Sequence, residues 1–271
     1  MEHHNSWFTD FLNKLLGGPV LALYELLGIR PHDPAHPISD LAAMSLLAVM
    51  VGMVLTLWLK RRLSVDRPGA FQQITEWLIS NPLNAGIRDV LDQNVHHHGH
   101  RYIAMVGTVG IFVLLANMIS VIPGFTSPTA SPSGPLACAL LTFVYFNWQG
   151  VRTHGLLGYL KHFAGPSPAI APLIFPVEII STTARILSLT VRLWANIFSS
   201  ELIYLIIVKL MLHWTSYGLG QNPVMGGLVA LLTATLPIAF IFLHMFVAVV
   251  QAFVFTLLPA VYIGLATAEE H

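Results

Sequence analysis

The chain holds 271 residues, with 13 basic and 13 acidic side chains and a formal net charge of zero. Hydrophobic residues make up 55% and charged residues only 10%, against roughly 25% charged in soluble domains, so a water-soluble enzyme is excluded and an integral membrane protein is indicated. The balanced charge excludes nucleic acid as a partner, and a lone cysteine, Cys138, excludes a disulfide framework or thiolate metal cluster.

Residues 1–38 read as an outer-side amphipathic segment, set apart from a membrane domain over 39–271. Trp7, Phe8, Phe11, Leu12, Leu15 and Leu16 recur at helical spacing, with Asp10, Asn13 and Lys14 opposite. This short helix is expected to end at Gly17-Gly18-Pro19, and the stretch 30–37 to be a loop. No cleavable signal is recognised, so insertion is expected through an internal span. The first span, 41–59, is uncharged and follows an N-cap-like Ser39-Asp40. It stops at Lys60-Arg61-Arg62, with Arg67 beyond, which marks that end as cytoplasmic.

Residues 70–95 mix Gln72, Glu76, Arg88, Asp89 and Asp92 with Phe71, Trp77, Val90 and Leu91. The segment is too polar to span and is expected to lie along the inner surface, broken near Asn81-Pro82. In His96-His97-His98-Gly99-His100 a metal site is chemically possible, but no carboxylate or thiol stands at ligand spacing. The cluster therefore reads as a solvated loop, and no metal or cofactor is expected.

Further spans are expected at 102–122, 135–150, 172–214 and 223–267. The uncharged Ser/Thr/Pro loop after Pro123-Gly124 fits the outer side, and Arg152 with Lys161 the inner side. The fold class is thus all-α and membrane-embedded, with about five embedded helices plus the surface helix. The last two are long, must be strongly tilted or bent, and form a hairpin through an outer turn at 217–223.

The first of these long helices carries two full charges in its apolar body, Arg192 and Glu201. An arginine at the centre of a span costs about 2.5–3.5 kcal/mol on insertion scales, so it marks a functional site by default. Glu178, Ser181, Arg185, Ser188, Arg192, Asn196 and Ser199 recur at steps of three and four, which makes one polar face. In lipid that face must meet protein or water. Glu178 lies about 21 Å from Arg192 along the axis, and Glu201 projects from the opposite face. Arg192 therefore needs a partner from another subunit, or else backbone carbonyls and water between helices. Folding the hairpin near Asn222 sets Glu201 beside His244 and Arg192 near Gln251.

The two levels permit different chemistry. Glu and His titrate and can relay protons. Arginine stays charged, so it can only repel cations and attract a carboxylate. A gated proton path with an arginine separator follows as the hypothesis.

The segment Leu187 to Asn196, with Arg192 inside it, and the segment from His244 through Gln251-Ala-Phe-Val-Phe resemble the signature motifs of subunit a of F-type ATP synthases. Weaker echoes are Asn117 with Ile122-Pro-Gly124, Gly158 to Phe163 with Gly165-Pro166, and the terminal Ala-Glu-Glu-His. The resemblance implies that Arg192 faces the carboxylate of a rotating c-ring. It implies that Glu201, His244 and Asn117 line an outer half-channel, that Glu178 belongs to the inner one, and that Asn196 and Gln251 support the arginine by hydrogen bonding. It implies the c-ring, peripheral-stalk b subunits and membrane lipid as partners, a bacterial inner-membrane location with the N-terminus outside and the C-terminus cytoplasmic, and no active site of its own. The chain departs from the pattern at Ile186, at Ser199-Ser200 where Ala-Gly is usual, and at Ser120 where some members carry an acid. The alternative is a proton-coupled secondary transporter or channel, though the internal repeat typical of transporters is not found.

Overall fold

Hydropathy and helical periodicity dictate helices wherever the chain must satisfy its backbone away from water, and the computed structural model has them. It describes residues 6–28, 33–34, 36–82, 84–95, 99–122, 124–164 and 171–268, and among these there is no strand. The helices are α1 (Trp7–Leu26), α2 (Asp40–Arg62), α3 (Ala70–Ile79), α4 (Ile87–Asn94), α5 (Ile103–Ile119), α6 (Ser133–Ala164), α7 (Ala171–Gln221) and α8 (Pro223–Thr267), with a 3₁₀ turn at Gly99–Tyr102 before α5. Four helices among the described residues are long and apolar enough to cross a membrane: α2, α5 with its preceding turn, α7 and the Pro237–Thr267 part of α8. The 51 residues of α7 and 45 of α8 would stretch to about 76 and 68 Å at 1.5 Å per residue, more than twice a hydrocarbon core. Both must run far from the bilayer normal.

The chain divides into two compact units. One contains residues 1–51, 115–131 and 194–249. Its N-terminal helix is fastened by polar side chains. The Ser6 hydroxyl caps α1 by accepting from the Thr9 N–H at 3.2 Å. Asn13 pairs with the backbone of Ile38 in both directions, at 3.0 and 2.9 Å. Phe8 and Leu12 are buried, whereas Trp7, Phe11 and Leu15 on the same helix are exposed. Contrary to expectation, α1 runs through Gly17-Gly18-Pro19. An internal proline removes one helical hydrogen bond, and packing offsets it here: Gly17 is buried with Pro37 lying over it.

The hairpin belongs to this unit. Its turn is tighter than expected, since helix continues to Gln221 and only Asn222 separates α7 from α8. Asn222 donates its N–H to the Gly218 carbonyl at 3.0 Å, and its side chain accepts from the Val224 N–H at 2.9 Å. A Cβ at Gly226 would fall 2.6 Å from Leu219, so glycine is what lets the two helices start this close.

The other unit contains residues 52–114, 132–193 and 250–271. Its core joins Ile87, Val90 and Leu91 of α4 to Val106 of α5, Phe146 and Tyr159 of α6, and Ala260 and Ile263 of α8. The surface segment is broken where expected. Asp89 clasps the break, accepting from the Ser80 hydroxyl at 2.7 Å, the Asn81 N–H at 2.8 Å and the Gly86 N–H at 3.3 Å. Residues 151–164, expected as a loop, are helical. The helical run bends at Gly155, whose φ of 72° and ψ of 165° suit only glycine. A Cβ at Gly150 would lie 2.3 Å from the Tyr159 ring, so the bend folds that ring onto the preceding turns.

Candidate functional site

In each unit, among the described residues, a largely apolar pocket holds a titratable pair. In the first, Glu201 and Tyr204 of α7 and His244 of α8 line a cavity of about 50 Å³ with Ser120, Val121, Phe240 and Ile241. The cavity has room for about three to five waters. Expected hairpin register and structure agree here: His244 is hydrogen-bonded to Ser200, the residue next to Glu201.

The His244 ring is 9% exposed and held on both edges. Nε2 lies 3.2 Å from the Asn117 carbonyl and 2.9 Å from the Ser120 oxygen. A carbonyl only accepts, so hydrogen bonding assigns a proton to Nε2. Ser120 donates its own proton to the same carbonyl at 2.9 Å, which leaves its oxygen free to accept from the ring. Nδ1 faces the Ser200 hydroxyl at 2.7 Å, and that hydroxyl also reaches the Ile197 carbonyl at 3.0 Å. One hydroxyl proton thus has two acceptors. Turned to Nδ1, it matches a neutral ring; turned to Ile197, it leaves Ser200 accepting from a doubly protonated one. Both charge states are satisfied without moving a heavy atom, which is what a relay needs.

Glu201 is partly buried, and its Oε1 accepts from the backbone N–H of Ser127 at 3.1 Å. Asn117, fully buried, serves the site through its backbone carbonyl. Its side-chain oxygen instead accepts from the hydroxyl of Thr129.

In the second pocket, Glu178, Thr182 and Arg185 of α7 line a cavity of about 100 Å³ with Phe146, Tyr159, Leu265 and Ala266. Arg185 Nη2 is 3.7 Å from Glu178 Oε1, and its guanidinium lies over the Tyr262 ring at 5.0 Å. The Tyr159 hydroxyl donates to Asn147 at 3.0 Å. The expected inner carboxylate is therefore one half of an ion pair.

Arg192 lines neither pocket. It is exposed on α7, as are Ser181, Ser188, Asn196 and Ser199, while Leu189, Leu193 and Ile197 are buried. No hydrogen bond or ion pair joins Arg192 to another described residue. Gln251 of α8 is buried, and its side-chain oxygen has no hydrogen-bond partner among the described residues; the same holds for the hydroxyl of Thr190.

Among the described residues no group of three or more His, Cys, Asp or Glu could hold a metal. Residues 96–98 of the histidine cluster lie outside the described residues, as do Pro123, Gly165-Pro166 and the last three positions.

Sequence reasoning singled out Glu201, His244 and Glu178, which the structure sets in the two pockets, but missed the groups hydrogen-bonded or ion-paired to them. Ser120 and Ser200 were visible only as departures from a motif, and both hold the His244 ring. Ser127 left no signal, because it acts through a backbone N–H. Arg185 sat on the polar face, but nothing in the spacing singled out its pairing with Glu178.

Comparison with known proteins gives the following. The profile of the family described as ATP synthase A chain matches residues 42–264. The chain is 38% identical over 268 residues to "ATP synthase subunit a" of Koribacter versatilis, covering 99% of both chains. It is 38% identical over 259 residues to the protein of that name from Solibacter usitatus, covering 96% of this chain and 99% of the other. The Aquifex aeolicus protein is 37% identical over 187 residues, covering 68% and 80%.

Proposed function

The chain belongs to the ATP synthase A chain family, and on that premise we propose that it is the proton-translocating stator subunit of a rotary ATP synthase, with two offset half-channels and Arg192 between them in function. Its partners are the c-ring, the peripheral-stalk b subunits and lipid. It lies in a bacterial inner membrane, with the Lys60-Arg61-Arg62 end of α2 cytoplasmic, the N-terminus outside and the C-terminus inside.

Outer protons reach Glu201 and pass by way of His244 to a c-ring carboxylate. Within the His244 step, the ring exchanges a proton with the pocket it shares with Glu201 and Ser120, and the Ser200 hydroxyl turns between Nδ1 and the Ile197 carbonyl as the ring's charge changes. A c-ring carboxylate arriving protonated from the other side loses its proton on meeting Arg192. At 4 Å and an effective dielectric of 20, that ion pair is worth about 4 kcal/mol, ample to force ionisation. The released proton leaves past Glu178. Arg192 cannot carry the proton, so it keeps the two paths from joining. Asn196 and Gln251 orient the guanidinium once the c-ring is seated.

The observation that carries this reading is a guanidinium in an apolar stretch of α7, exposed and with no acid beside it among the described residues. The test is ATP-driven proton pumping by the whole complex in inverted vesicles bearing Arg192→Ala. Lost pumping with passive proton leak is expected; wild-type pumping would exclude the separator role.

A further inference from the structure

The polar loop at 124–131 is not absorbed by the relay, and its hydrogen bonds are unusually directed. We infer that it is a rigid holder for the Glu201 carboxylate, and that Asp40, acting through Thr126, is the positioning residue that sets it. The inference rests on the proton-entry role proposed for Glu201.

The backbone group that meets Glu201 is the N–H of Ser127, at 3.1 Å. A backbone N–H cannot be altered by its own side chain; it is aimed only by whatever holds its peptide plane. That plane is rigid and spans the α-carbons of residues 126 and 127, and the structure anchors both ends. At the 127 end, the Ser127 hydroxyl donates to the Ala116 carbonyl at 3.1 Å and accepts from the Thr129 N–H at 3.2 Å. The Thr129 hydroxyl donates to the Asn117 side chain, and both residues are buried. At the 126 end, the Thr126 hydroxyl donates to Asp40 Oδ2. Asp40 Oδ1 accepts from the Ser6 N–H at 3.2 Å and from the Thr9 hydroxyl.

The direction of these bonds assigns Asp40 its part. Three donors point at its carboxylate, so the arrangement needs acceptors at both oxygens and has no use for a proton there. Asp40 is therefore a fixed peg in the first turn of α2, tying α1 and the loop to one point, and not a stage in the proton path. Thr126 is exposed and fills no core. Its hydroxyl matters only as the link between the peg and the peptide that faces Glu201.

The experiment uses the whole complex in inverted vesicles, with ATP-driven pumping measured per assembled complex. Thr126→Val should lower pumping about 3- to 10-fold with ATP hydrolysis retained, and Thr126→Ser should restore it to within about 2-fold, a tenfold change corresponding to about 1.4 kcal/mol of misplacement. Asp40→Asn keeps a carbonyl oxygen for Ser6 and Thr9 and offers an N–H to the Thr126 oxygen, so it should keep at least about half of the rate; Asp40→Ala should fall with Thr126→Val. A role exerted through Glu201 also predicts coupling: in a Glu201→Asp background, Thr126→Val should cost less than half as much on a logarithmic scale. Equal losses in both backgrounds, or wild-type pumping in Thr126→Val, would overturn the holder. Loss in Asp40→Asn as deep as in Asp40→Ala would make Asp40 a proton carrier instead. Wild-type pumping in Glu201→Gln would sink the underlying reading of Glu201, whatever Thr126 does.

Discussion

Ser200→Ala tests the relay at its narrowest point. The Ser200 hydroxyl sits 2.7 Å from Nδ1 of a ring that is 9% exposed, while Nε2 keeps both of its partners. Alanine removes the hydroxyl that meets Nδ1. A buried polar group left unpaired costs about 1–3 kcal/mol. The protonated ring needs an acceptor at Nδ1 more than the neutral ring needs a donor, so about 1–2 kcal/mol of that falls on the charged state. At 1.36 kcal/mol per factor of ten, proton passage should slow about 5- to 30-fold. Ser200→Gly removes Cβ as well and opens room for a water where the hydroxyl stood, so it should pump within about 3-fold of wild type despite the roughly 1 kcal/mol that glycine costs a helix interior. The assay is ATP-driven pumping in inverted vesicles, normalised to ATP hydrolysis. Equal pumping by wild type and Ser200→Ala, or a glycine variant slower than alanine, would refute the reasoning.

Two further predictions concern packing and pH. A Cβ at Gly264 would lie 2.1 Å from the carbonyl oxygen of Asn94, whereas one at Gly227 would meet nothing within 4 Å; Gly264→Ala should therefore cost about 1–3 kcal/mol and lower the amount of assembled subunit, while Gly227→Ala should leave it unchanged or raised, as read by immunoblot of membranes. The Asp89 carboxyl is held below its ordinary value of 3.8, chiefly by the Asn81 N–H and then the Ser80 hydroxyl. Its stabilisation is full above that ordinary value and is lost as pH falls through the lowered one. Asp89→Asn should thus loosen the 80–86 break at neutral pH, seen as faster hydrogen exchange corrected for intrinsic rates, and the difference from wild type should vanish in strong acid.

What the sequence revealed and what it hid divide along one physical line. Apolar periodicity reports which stretches leave water, so α2, α5, α7 and α8 were legible, as was the break at Asn81-Pro82. Because antiparallel helices tie residue numbers together, the closeness of position 201 to His244 was legible too. Helix ends were not. The passage of α1 through Pro19 depends on Pro37 packing over Gly17, and the helical run past residue 150 depends on Tyr159 folding over Gly150. Both are contacts that no local pattern encodes. The same is true of Thr126, Ser127 and Asp40, polar residues distant in sequence whose hydrogen bonds have no period to read.

Arg185 and Arg192 are seven residues apart, hence on one face of α7, and they are treated in opposite ways. Arg185 has Glu178 at 3.7 Å and the Tyr262 ring beneath it. Arg192 has neither, and is flanked on its exposed strip by small polar side chains at 188, 196 and 199. A bare guanidinium facing acyl chains costs at least about 2.5–3.5 kcal/mol, so the strip cannot be a lipid-facing surface. Nor is the chain unable to answer an arginine with an acid, since it does so for Arg185. That pair is partly exposed, at 23% and 40% for the two side chains, and ion pairs open to solvent contribute about 0.2–1 kcal/mol, so its value is to fix two charges in place more than to stabilise the fold. The proposed function needs both treatments at once: a charge settled within the subunit where protons only pass by, and a charge left unsettled where a carboxylate from a moving partner must be met, deprotonated and let go.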